Sequence, residues 1–441
     1  MSDELAAPAL ASDAARPAPG LAKTALVLLP LQALFRGGEA LLPLFLAAWF
    51  GRNEQTDLYY VLAAYFVFAG AMLTGAFQDS AIVPVLLEVE TREPARLPAI
   101  AGALLGHTLA IGAATAGAMG TVAAGVALWA SPSRALALEL VGVMSVGLVV
   151  TAVRAFYAGL LNARGVFHAH PIGSGLGMGV TFAVLYGWRD LGVRVVPVGL
   201  LAGEIVAVSM LTILTRRTLG MRLAPTLARP EPVRRIFSLV RLEVVGSLIT
   251  RINPVIDQLM AGLAGVVGGG TLLRYAGDVA SLPTSILQAV LFPVLLTRLS
   301  GEAKRPAEFA ATTRRTLAGV VALLAGLSVL VVAFRTPLCT LLFLHGAMDR
   351  AGVARIAEIL PWALAGAAPF GALLVLARAH VAQQNSRIMP GMGVLNSTLN
   401  AAFNLIFVGP LGLAGIALST SMTYVVVAVV FWIRLPRTAR A

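Results

Sequence analysis

Charge and cysteine are both scarce in this chain. Only 12% of its 441 residues are Asp, Glu, Lys or Arg, about half the ~25% of a soluble domain. The single cysteine, Cys339, excludes an intramolecular disulfide and a thiolate metal cluster. The five histidines (His107, His168, His170, His345 and His380) form no metal-spaced set on one helix; His168 and His170, two apart in a loop, are the nearest to one. There is no Walker A loop, nucleophile elbow or zinc-protease motif, so neither catalysis nor a bound cofactor is expected. Acidic residues number 21 against 33 basic ones, a net charge of +12. The basic residues sit in short loops between apolar runs, where the positive-inside rule accounts for them, and no nucleic-acid partner is implied.

What is abundant is apolar sequence. Some 58% of residues are hydrophobic, in runs of the ~20 residues that cross a bilayer as a helix. The runs are continuously apolar rather than alternating, which excludes a β-barrel. The expected class is an all-α polytopic membrane protein with about 12 transmembrane helices, over 22–50, 57–88, 96–130, 134–163, 166–188, 192–215, 233–263, 269–299, 308–335, 350–383, 387–408 and 412–434. Twenty of the 33 Lys and Arg then fall on the side that holds both termini, seven on the other side and six within helices. That bias predicts that both termini are cytoplasmic. Residues 1–21, Ala/Pro-rich and without a basic signal-peptide start, read as a disordered cytoplasmic tail.

The longest polar connection, the basic linker 216–232, divides the chain into a helical bundle over 22–215 and another over 233–434, with a short tail at 435–441. The halves echo one another. Ala81–Pro94 and Val290–Pro306 each place Pro-Val-Leu-Leu at a helix end; Leu160–Pro171 and Ala382–Pro390 each carry Asn-x-Arg and then Pro; Gly199–Glu204 matches Gly412–Ala417. A duplication of six helices puts both halves in one orientation, as two six-helix bundles related by a pseudo-two-fold axis along the membrane normal, with a site between them.

Charges inside the helices mark that site. Arg36 and Glu39 share a face of the first helix with Pro43. A lone charge at the bilayer centre costs at least ~2.5 kcal/mol, so they serve either as a structural ion pair or as the wall of a polar cavity. Arg251, in "ITRINPVIDQLM", occupies in the second half the place of Arg36 in the first, and Asp257 follows it after an Asn-Pro bend. Arg274 and Asp278 are four apart on one face. Arginines facing a shared cleft suit an anionic substrate. Asp57 is either an N-cap beside Thr56 or, with Asp79, Asp257, Asp278 and Glu204, a charge-balancing or Na+/H+-coupling group. Glu204 reads equally as the partner of a buried Arg. Arg154 reads as a snorkelling residue, and Asn396, Asn400 and Asn404, on one face, as amides joining helices.

The stretch Phe50–Leu86 resembles the MurJ/MviN lipid II flippase family, through Phe50-Gly51, Thr56-Asp57, Tyr60-Val61, Gly75-Ala76-Phe77 and Val83-Pro84-Val85-Leu86. Leu341–Asp349 and Phe403–Met422 are similar to two further segments of that family. The resemblance implies the multidrug/oligosaccharidyl-lipid/polysaccharide (MOP) exporter fold. It also implies alternating access between the bundles and a substrate of lipid-linked saccharide on undecaprenyl diphosphate. Arg36 matches one of the family's cavity arginines. Two departures stand out: Ala69-Gly70-Ala71-Met72 replaces the family's Arg-Arg pair, and Asp278 stands where the family has Arg, with Arg274 one turn away. Two rival expectations accompany this one: a cation-coupled multidrug antiporter with an acidic, aromatic cleft, and a non-transporting scaffold for cell-envelope synthesis enzymes.

Overall fold

In hydrocarbon, backbone N–H and C=O groups must bond within the chain, so continuous apolar runs fold as helices. The computed structural model describes residues 37–74, 82–130, 133–220, 222–238, 251–385 and 387–435, and every regular element among them is helical. The first half comprises α1 (Gly37–Phe50), α2 (Glu54–Thr74), α3 (Val83–Arg92), α4 (Leu97–Ala130), α5 (Arg134–Ala163), α6 (Ala169–Trp188) and α7 (Val195–Leu219). The linker leads to α8 (231–238). The second half comprises α9 (Asn253–Leu263), α10 (Gly269–Glu302), α11 (Pro306–Ala333), α12 (Arg335–Phe343), α13 (Arg350–Leu364), α14 (Ala367–Ala382), α15 (Ile388–Leu411) and α16 (Leu413–Arg434). Seven stretches of the described residues are long and apolar enough to cross a membrane; one of them, Ala169–Arg217, folds back at Gly192 into α6 and α7. One expected pass, 350–383, is built from two helices, α13 and α14.

Local chemistry sets the helix ends. Asn53 Oδ1 accepts from the N–H groups of Gln55 and Thr56 and so caps α2. Asp349 caps α13 by accepting from Gly352 N at 3.0 Å. Helix pairing relies on small residues, because lipid offers no hydrophobic drive between helices. On α6 and α7, Gly177 and Gly203 bring the two backbones together, and a Cβ on either would lie within 2.5 Å of the opposite carbonyl oxygen. Thr181 adds a hydroxyl donated to Gly199 O at 3.1 Å.

The cores reveal the overall shape. At the end of the molecule that carries Arg52, one continuous core unites both halves: Leu46, Tyr60, Phe66 and Leu140 with Leu272, Tyr275, Phe343 and Ile416. At the end that carries the linker the core is divided. Val85, Leu104, Phe156 and Ile236 pack within the first half and its linker helix, while Leu299, Phe309, Leu324 and Val375 pack within the second. The bundles are therefore joined at one end and separate at the other, a V that opens toward the linker.

Candidate functional site

Between the arms of the V lies a cavity of about 580 Å³. α1 and α2 supply Glu39, Pro43, Tyr59 and Tyr60; α9 and α10 supply Asp257, Gln258, Arg274 and Asp278; α14 and α16 supply Phe370, Thr420 and Tyr424. Helices of both halves thus wall it, and most of its polar groups come from the second.

Two polar clusters define its chemistry. On α10, Arg274 Nε lies 3.0 Å from an Asp278 carboxylate oxygen, one turn away. Arg274 is half exposed to the cavity, and its other guanidinium N–H groups make no protein hydrogen bond among the described residues. The second cluster centres on Asp257. Its two carboxylate oxygens accept from Asn404 Nδ2 at 2.8 Å and Thr420 Oγ1 at 3.1 Å, and Asn400 Nδ2 donates to the same hydroxyl. Asn400 and Asn404 are fully buried. The amide oxygens of Asn253 and Asn404 have no donor among the described residues. Carboxylate, amide and hydroxyl oxygens are the ligands of a hard cation, so this cluster could hold one; the described residues contain no group of three His, Cys, Asp or Glu that could.

The Arg52 end is sealed across the two halves. Arg52 Nε and Nη2 reach the Asp349 carboxylate at 2.9 and 3.0 Å, and Ala347 N donates to Ala48 O at 2.7 Å. The Arg52 guanidinium holds the Asp349 carboxyl down at about 2. Asp57 also crosses the boundary: its Oδ1 accepts from Thr271 N and from Thr271 Oγ1, both at 2.8 Å. A carboxylate at the first turn of α10 is favoured by the helix dipole.

The expected site residues distribute unevenly. Glu39, Asp257, Arg274 and Asp278 line the cavity. Arg36 and Asp79 lie outside the described residues. Arg251 is exposed and is not part of the lining, one turn before the lining residue Pro254. Asp57 is not the N-cap of its own helix, because Asn53 fills that position; it serves α10 instead. Glu204 takes the reading as a partner for arginine: Arg154 Nε meets its Oε2 at 2.6 Å, tying α5 to α7 away from the cavity. Arg154 accordingly does not snorkel. Tyr59, Tyr60, Gln258, Thr420 and Tyr424 were not anticipated. Tyr60 comes three residues after Asp57, so a helical projection from Asp57 would have found it on the same side.

Two bundles joined in a V around a shared cavity are the MOP exporter architecture. The lipid II flippase MurJ in an inward closed conformation superposes with a TM-score of 0.73 at 16% identity, covering 93% of this chain and 89% of that one. An inward-facing multidrug-resistance MATE transporter of the MOP superfamily also gives 0.73, at 13% identity over 91% and 93% of the two chains. A MOP transporter from Pyrococcus furiosus, described as having a binding pocket of reversed polarity, gives 0.63 at 13% identity, over 92% and 91%. No curated protein is similar enough in sequence to count as a relative. The family model of the lipid II flippase MurJ matches residues 46–441, and the chain belongs to that family. It is thus an integral membrane protein and, by family, a lipid-linked-precursor flippase, with the fold of the MOP exporters.

Proposed function

We propose that this protein moves an anionic lipid-linked saccharide, of the undecaprenyl diphosphate type, across the bacterial inner membrane by alternating access of its two bundles. The observation that carries this is the cavity itself: both halves wall it, it lies within the V that opens at the linker end, and it presents the Arg274 guanidinium. With the termini and the linker cytoplasmic, as loop charge predicts, the V opens to the side where such precursors are made. Arg274, with Arg36 and Arg251, would bind the diphosphate. Glu39, Asp79 and Asp278 would balance charge. Asp257, held by Asn404 and Thr420, would couple movement to Na+ or H+. The test is translocation of a fluorescent undecaprenyl-diphosphate saccharide in proteoliposomes. Arg36→Ala and Arg274→Ala should each slow it; unchanged rates would exclude the cavity as the binding site.

A second reading, the cation-coupled multidrug antiporter, draws on the lining itself. Among the described residues three carboxylates (Glu39, Asp257 and Asp278) face one arginine, and Tyr59, Tyr60, Phe370 and Tyr424 supply aromatic wall. Efflux of an organic cation without lipid translocation would favour that reading.

A further inference from the structure

A second cavity, again of about 580 Å³, lies away from the first, between α4 and the linker. His107 and Ile111 of α4 form one wall, and Leu227, Arg229, Arg234 and Phe237 of the linker and α8 form the other. The linker is fixed there. Its backbone runs over Gly102 and Gly106, where a Cβ would come within 2.4 Å of Ala224 O and 2.1 Å of Thr226 O, and Thr226 N donates to Gly102 O at 3.2 Å. The floor is fixed as well: the His107 ring donates through Nδ1 to Ala103 O at 2.9 Å and rests 5.2 Å from the Phe237 ring.

Charge and depth are both informative. Neither Arg229 nor Arg234 has a carboxylate partner among the described residues, whereas their neighbour Arg235 is bound to Glu88 at 2.7 Å. Two exposed, unneutralised guanidinium groups thus sit at the rim of an otherwise apolar groove. Ile111 and Leu227 are 43% and 64% exposed, an apolar surface left uncovered beside the charges. α4 has 34 residues and is ~51 Å long, which exceeds the ~30 Å hydrocarbon core, so its first turns reach the headgroup layer. His107 lies ~15 Å along it, near the boundary of headgroups and acyl chains. A basic rim above an apolar wall at that depth is complementary to an amphiphile with an anionic head.

We propose that this groove binds one anionic glycerophospholipid, its phosphate on Arg229 and Arg234 and an acyl chain along Ile111 and Leu227, independently of what the central cavity carries. Bound there, the lipid would fasten the linker to α4 and so to the first bundle.

The test is native mass spectrometry of the full-length protein titrated with dioleoylphosphatidylglycerol. Dioleoylphosphatidylcholine, with the same tails and a neutral head, and inorganic phosphate serve as separate probes. The wild type should retain one phosphatidylglycerol. The Arg229→Gln/Arg234→Gln variant should retain it at least tenfold more weakly, and so should Ile111→Trp, which fills the apolar wall from an exposed position. Arg314→Gln/Arg315→Gln, an equal loss of charge on the second bundle, should change nothing. Equal retention of phosphatidylcholine, displacement by phosphate alone, or an equal loss in the Arg314/Arg315 variant would each overturn the assignment.

Discussion

Single residues in the cavity act through their partners. Arg274→Ala removes a charge-assisted donor worth ~1.5–3 kcal/mol to a bound anion, so affinity for the lipid-linked substrate should fall by about 10- to 150-fold in a binding titration. The same change leaves Asp278 unpaired. In the double variant Arg274→Ala/Asp278→Asn, thermal stability should recover and binding should not; recovery of both would make the pair purely structural. At Asp257 the prediction concerns coupling. Asp257→Asn keeps the size and a hydrogen-bonding oxygen but removes the charge, so dependence of transport on a Na+ or pH gradient should disappear, as measured by exchanging Na+ for choline. The sequence made some of this legible. Arg274 and Asp278 were visible as a pair because four residues make one helical turn. Arg154 with Glu204, fifty residues apart, and Asp57 with Thr271, across the two halves, were not, because tertiary packing alone brings them together.

At the scale of elements, apolar runs placed the helices well, since backbone bonding in lipid leaves helix as the only choice for each run. The divided pass was harder to read. α13 gives way to α14 after Pro361, inside a hydrophobic stretch, whereas the start of α9 at Asn253-Pro254 was legible as the Asn-Pro bend. The α6–α7 contact supplies a stability prediction. Gly203→Val puts a side chain against the Gly177 carbonyl and should cost ~1–3 kcal/mol, read as a lower unfolding midpoint in detergent. Val at Gly179, which has open space, should cost less. The seal between Arg52 and Asp349 has a defined pH range. The ordinary carboxyl value is 3.8 and the paired one about 2. A depressed value means the stabilisation is complete above about pH 4 and fades as pH falls toward 2. Closure at this end should therefore be insensitive to pH between 5 and 8, and Asp349→Asn should open it at any pH. Spin-label distances across that end would report either result.

For the whole molecule, the arrangement of cores implies movement. One shared core and two separate ones allow the bundles to rock about the joined end without exposing each bundle's own interior. Transport then requires the Arg52 end to part. Ala48 and Ala347, joined there by a backbone hydrogen bond of 2.7 Å, offer a lock, and the chain's only native cysteine, Cys339, is buried. The deciding measurement is translocation of a fluorescent undecaprenyl-diphosphate saccharide by Ala48→Cys/Ala347→Cys protein in proteoliposomes, oxidised and then reduced. The account predicts transport in the reduced protein, none when the disulfide closes the Arg52 end, and recovery on reduction. Equal transport in both states would contradict alternating access, and absence of transport in the reduced protein and the wild type alike would contradict the substrate.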